Sequence, residues 1–197
     1  MRSNSQSECA RAKPSKRLLA RFLLVLLAGL VSPCLTLGQS EVSQEYQVKA
    51  AFLYNFAKFV DWPSAAFAND KAPITVCIYG KDPFGATLDD TVRSKTIGAR
   101  GFVVRRPKSP KDMAGCQIAY LGGSAGDQLR DFLSIVDSSN VLSVGEDPHF
   151  ADQGGDIQFV MEDGKIRFLI NVDSVNRAGF KMSSKLLALA KVVHDPK

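Results

Sequence analysis

The chain has 197 residues, 45% of them hydrophobic and 23% charged, with a formal net charge of +5, nine prolines and four cysteines. That composition excludes a disordered polymer, a collagen-like repeat and a disulfide-dense miniprotein. The charge is unevenly placed. Residues 1–38 hold six Lys/Arg against the single acid Glu8, an excess equal to that of the whole chain, so the remaining 159 residues are neutral. The basic character therefore says nothing about nucleic acid, and no nucleic-acid partner is expected.

The first segment reads as an export signal. Arg2, Arg11, Lys13, Lys16 and Arg17 make a positive start, and Leu18 to Val31 is apolar apart from Arg21 and Gly29. This stretch is shorter than the roughly 20 residues that span a bilayer. Thr36-Leu37-Gly38 has the small-x-small pattern of a cleavage site, which puts the mature start near Gln39 and predicts a signal peptide over 1–38 and one domain over 39–197. An uncleaved anchor and a lipoprotein processed at Cys34 are the competing readings; Pro33 stands where a lipobox has Gly or Ala. Cys9 and Cys34 leave with the signal. Cys77 and Cys116 remain, and a pair in an exported domain reads as a disulfide, with two buried free thiols as the alternative.

Residues 39–44 are polar and expected to fray. Glu45 to Asp61 predicts a helix with Tyr46, Ala50, Leu53, Ala57 and Val60 on one stripe and Phe52, Phe56 and Phe59 on its neighbour. Pro63 ends it after Trp62. Two apolar stripes exceed what a plain core helix needs. Either the helix is buried all round, or Tyr54, Phe56, Phe59 and Trp62 stay partly exposed as a partner-binding or dimer surface.

Ile74–Tyr79 predicts a buried strand, and Asp82 is placed to cap a helix from Pro83. Thr96–Arg106, Cys116–Leu121 and Asn140–Val144 read as further strands, with a helix carrying Leu129, Phe132, Leu133 and Val136 before the last of them. Asp163-Gly164 is a two-residue hairpin turn. Counting outward pairs Met161 with Ile166, Phe159 with Phe168 and Ile157 with Ile170 on one face. Asp173 is expected to cap a short helix, and Ser183 or Ser184 a last helix over 185–193. Strands alternating with helices and closing in a hairpin predict an α/β single domain: a mainly parallel sheet, an antiparallel C-terminal hairpin and helices on both faces.

Catalytic signals are poor. Gly122-x-Ser124-x-Gly126 between a strand and a helix resembles a nucleophile elbow, and Ser124, Asp173 and His194 could be written as a triad of a secreted serine hydrolase. His194 lies next to the C-terminus, no oxyanion segment precedes the serine, and the domain is short for that fold; a glycine-rich turn holding a small anionic ligand is the other reading. Two histidines and two cysteines without close spacing give no metal set, and Asp147, Asp152 and Asp156 read as solvated loop charge. No cofactor or metal is expected. The basic run Arg105–Lys111 reads as a solvated loop or as a surface for an anionic partner.

Several segments in order carry a resemblance. They are the run Glu45–Pro63 (EYQVKAAFLYNFAKFVDWP), Gln153-Gly154-Gly155-x-Ile157, Phe168-x-Ile170-Asn171, and Arg177-Ala178-Gly179-x-Lys181-x-Ser183-Ser184-x-Leu186-Leu187. Together they resemble the YfiR-like family over about Glu45–Val193. The resemblance implies a periplasmic repressor without enzymatic activity. Such a repressor binds the periplasmic sensor region of a membrane diguanylate cyclase, lowers cyclic-di-GMP and biofilm formation, and is sequestered by an outer-membrane lipoprotein. It also implies homodimers in some members and a disulfide that Cys77 and Cys116 fit. Residues 143–155 lack the second cysteine pair of some members, so the resemblance does not carry over a switch built on a second bridge.

Overall fold

Ile74–Ile78 is buried at every position, the mark of a strand covered on both faces rather than one. A computed structural model describes residues 37–123, 126–137 and 139–196, and Ser40–Lys197 form one compact unit. Of the predicted signal segment only Leu37 and Gly38 fall among the described residues. They open the first helix, α1 (Leu37–Phe59), so residues 39–44 are helical rather than frayed: nothing between Gln39 and Gln44 breaks a helix.

After α1 come β1 (Val60–Asp61), β2 (Ile74–Gly80), α2 (Ala86–Val92), β3 (Phe102–Arg105), β4 (Ile118–Gly122), α3 (Gly126–Val136), β5 (Leu142–Gly145) and β6 (Ile157–Glu162). The chain ends with β7 (Lys165–Asn171), α4 (Val172–Arg177), β8 (Lys181–Met182), α5 (Ser184–Leu187) and β9 (Lys191–Val193). Seven strands form one sheet in the order β3-β2-β4-β5-β6-β7-β9. Neighbours from β3 to β6 are parallel, β7 is antiparallel to β6, and β9 is parallel to β7. The hairpin register is the one counted from the turn, Met161↔Ile166, Phe159↔Phe168 and Ile157↔Ile170, with Asp163 at φ 51°.

Side-chain alternation sends the sheet into two cores. Val76, Ile78, Ile118, Tyr120, Val144, Ile157, Phe159 and Phe168 join Leu53, Phe56 and Ala57 of α1 and Leu88 of α2. Cys77, Ala119 and Leu121 point the other way and meet Leu129, Phe132 and Val136 of α3. Phe150 seals that second core by lying flat against Gly155, where any Cβ would overlap its ring. The Gly-Gly motif is thus a packing device at its second glycine.

Several boundaries depart from expectation. Thr96–Arg106 shrinks to Phe102–Arg105, because Ile97 and Arg100 bridge each other in a turn. Asp82 accepts from the N–H groups of Phe84 (2.8 Å) and Gly85 (3.2 Å), but the helix starts only at Ala86. Asn171, not Asp173, caps α4, accepting from Asp173 N (3.1 Å) and Ser174 N (3.2 Å). Ser183 caps α5, which lasts one turn; Lys191–Val193 instead pairs with β7, where two valines suit a strand.

Candidate functional site

The C-terminal end of α1 is fixed by backbone rather than by a helix cap. Pro63 stops the helix. Val60 and Asp61 pair with Met182 and Lys181, and the Phe59 carbonyl accepts from Ser183 N (2.9 Å). This sets Trp62 edge-on against Phe180 (5.3 Å) and Phe67 (6.4 Å), with its Nε1 donating to the Ala57 carbonyl (3.3 Å). Phe67 carries the Arg100 guanidinium 3.8 Å from its ring centre. Trp62, Phe59 and Phe67 remain half-buried, and Trp62 and Phe67 line a shallow cleft with Asp61, Asp70 and Arg100. Tyr54 is also half-buried, further back, against Phe102 (5.6 Å). Phe56 does not belong to this ledge. It is 0% exposed, stacks on Phe159 (5.7 Å) and meets Phe168 edge-on (5.1 Å), because its turn of the helix faces the hairpin.

Cys77 and Cys116 are joined in a disulfide with Cα atoms 6.0 Å apart, buried in the second core. It ties β2 to the loop that enters β4.

Two polar groups escaped the sequence reading. Lys49 is buried between Glu45 and Glu146, donating to both, with its ammonium 4.5 Å from the Tyr46 ring centre. Glu45 and Lys49 stand at i,i+4 on the helix, a spacing that by itself does not signal burial. Asp156 is the other. It is buried, not solvated loop charge: its carboxyl meets Ser143 N (2.8 Å), Ser143 Oγ (2.8 Å) and Ser174 Oγ (2.7 Å). Burial raises its pKa above the usual carboxylate range, and the serine hydrogen bonds oppose this. Asp156 forms the floor of a cleft of about 280 Å³ between α3 and α4.

A family model, YfiR/HmsC-like, matches residues 46–191. The chain belongs to the YfiR/HmsC-like family. Among solved structures, the ABC domain in complex with L-Trp from Streptococcus pneumonia is 9% identical, with a TM-score of 0.48. The match covers 76% of this chain and 60% of that one, so this chain spans less than two thirds of its length.

The segments that carried the YfiR-like resemblance converge in space. Trp62 and Val60, near the end of the opening signature, meet Phe180 and Met182 of the last one. Asp156, after the Gly-Gly pair, accepts from Asn171 N through its carbonyl (2.9 Å). Asn171 donates to Asp195 (2.8 Å), which also holds Arg177. The first pair of contacts joins the end of α1 to β8 in a two-stranded sheet of their own, and the second ties the end of β7 to the residues that precede β6 and follow β9.

Ser124 lies outside the described residues. His194 Nδ1 does sit 3.1 Å from Asp173 Oδ1. Those two follow β9 and β7 at the edge where β4, β5 and β6 begin, since Asn171 N bonds the residue preceding β6. Gly122 and Gly123 stand at the opposite edge, three strands away from β7, or roughly 14 Å sideways at the usual strand spacing. Lys81 N bonds the Gly122 carbonyl (2.9 Å), and a Cβ on Gly122 would overlap the Lys81 carbonyl. In the basic loop, Arg106 is spent on Asp82 (2.6 Å), Asp89 (2.6 Å) and the Gly85 carbonyl (2.7 Å), and Arg105 on the Asp112 carbonyl (2.9 Å). Lys108 and Lys111 are exposed. Among the described residues no group of three or more His, Cys, Asp or Glu is placed to hold a metal, and no helix is long and apolar enough to cross a membrane.

Proposed function

We propose that this chain is a periplasmic binding protein that represses an inner-membrane diguanylate cyclase by holding its periplasmic sensor region in an inactive state. Residues 1–38 direct export and are removed near Gly38. Repression lowers cyclic-di-GMP and biofilm formation, and an outer-membrane lipoprotein relieves it by sequestering the repressor. Family membership supports a regulator of a diguanylate cyclase in general and a role other than catalysis. The finer reading rests on the half-buried ledge of Phe59, Trp62 and Phe67, set rigidly at the end of α1 by the β1–β8 pair. Half-exposed aromatics on a fixed backbone bury much area at small entropic cost, which is how interface anchors work.

No chemistry is asked of such a protein. A repressor shifts its target only by its differential affinity for the inactive state. A hundredfold preference corresponds to about 2.7 kcal/mol and moves a balanced cyclase almost wholly to that state. The same ledge would serve a homodimer, which would then compete with the cyclase.

The test is co-purification of the oxidised chain with the periplasmic region of the cyclase. A stable complex that Trp62→Ala weakens by about tenfold or more is expected. Absence of a complex at micromolar concentrations would overturn the reading.

A further inference from the structure

The edge where β4, β5 and β6 end carries a second constellation, at the other end of α1 from the aromatic ledge. Open α/β sheets take their ligands at the edge where parallel strands finish. An open cleft lies there between the first half of α1 and the β6–β7 hairpin, lined by Glu45, Lys49, Glu146, Phe159, Met161 and Ile166 among others. Among the described residues its ionisable lining groups are Glu45, Lys49 and Glu146, one more carboxylate than cation. Lys49 is buried and already engages both acids, whose side chains are 29% and 27% exposed. One ammonium does not neutralise two carboxylates, and a surplus charge withdrawn from water favours a second cation beside it.

Two further observations point the same way. Tyr46 donates to Glu146 (2.9 Å), which holds that carboxylate at the rim of the cleft. The outer wall is apolar: Met161 is 54% exposed and stands opposite Ile166 in the hairpin.

We propose that this cleft receives an arginine or lysine side chain from a segment of a protein partner, with an adjacent apolar side chain seated on Met161 and Ile166. The negative surplus selects the basic group. The apolar wall selects a peptide over a free ammonium compound, which would leave Met161 and Ile166 wet. This assignment stands apart from the cyclase reading and survives its failure.

The test is an NMR titration of the oxidised chain at low salt with the amidated, acetylated peptide Ala-Leu-Arg-Leu-Ala. Controls are the same peptide with citrulline for arginine, and arginine amide alone. Shifts confined to Glu45, Glu146, Met161 and Ile166 are expected, with affinity about tenfold weaker for the citrulline peptide. Glu146→Gln is expected to weaken the arginine peptide similarly, and Met161→Ser to weaken the peptide but not arginine amide. If Glu146→Gln lowers the melting temperature, Glu45→Gln replaces it. Equal binding of the citrulline peptide, equal binding of arginine amide, or no shifts at all would each overturn the proposal.

Discussion

Lys49 in α1 donates to Glu146, 97 positions later and just beyond β5, so one buried ammonium fastens the first helix to the edge of the sheet. Removing one partner of such a pair leaves uncompensated charge behind. Lys49→Ala is expected to cost about 3–5 kcal/mol in urea denaturation, on the scale of other broken buried pairs. Lys49→Met, which keeps the volume, should cost less. A loss below about 1 kcal/mol for the alanine variant would show that the pair holds nothing together.

Phe56 and Trp62 belong to one sequence signature but to different environments. Phe56→Ala empties a fully buried site and should cost about 3–5 kcal/mol. Trp62→Ala removes a half-buried ring and should cost clearly less stability while weakening the cyclase complex. Thermal melts and binding on the same two proteins separate the roles; equal destabilisation would make the ledge a piece of core.

The Cys77–Cys116 bridge closes a sequence separation of 39 residues. On the chain-entropy account that is about 4 kcal/mol, a large part of an ordinary domain's total. The double variant Cys77→Ala, Cys116→Ala is expected to lose roughly that much in urea denaturation. Because both cysteines are buried, the native protein should resist dithiothreitol until it is partly unfolded. Rapid reduction of the folded protein would contradict the burial.

Asp156 predicts a pH dependence with a definite sign. Ser174 Oγ lies 2.7 Å from both the Gly154 carbonyl and the Asp156 carboxyl. One hydroxyl proton serves one of them, and a protonated Asp156 supplies the other. Burial raises the carboxyl's pKa in the native state. The native protein therefore holds this proton at a pH where the unfolded chain has lost it. The contribution is fully present below the unfolded pKa and declines as pH rises through the native one. Asp156→Asn, whose amide also donates to Ser174, should flatten that decline. An unchanged slope in urea midpoints between pH 4 and 8 would show that Asp156 does not titrate there.

The hairpin could be read residue by residue because a two-residue turn fixes register and a period of two marks the face. Helix α1 was equally plain from its spacing after Glu45, whereas its polar first turns read as frayed. The short pieces were hidden. Val60–Asp61 and Lys181–Met182 are strands only because each finds the other. Lys191–Val193, following a serine cap, read as helix until the free edge of β7 claimed it. Asp156 read as solvated charge and the burial of Lys49 left no mark in the sequence, since the groups that make their burial tolerable, Ser143 and Ser174 for one and Glu146 for the other, lie far along the chain. Local pattern reports periodicity; it does not report which distant partner satisfies a buried polar group.

The most direct measurement is cyclic-di-GMP synthesis by the full-length cyclase in proteoliposomes, with the oxidised chain added on the side of the sensor region. The account predicts that synthesis falls with saturating dependence on the chain, and that Trp62→Ala shifts the curve to higher concentration. A rate that stays constant at all concentrations of the folded, disulfide-bonded protein would contradict it.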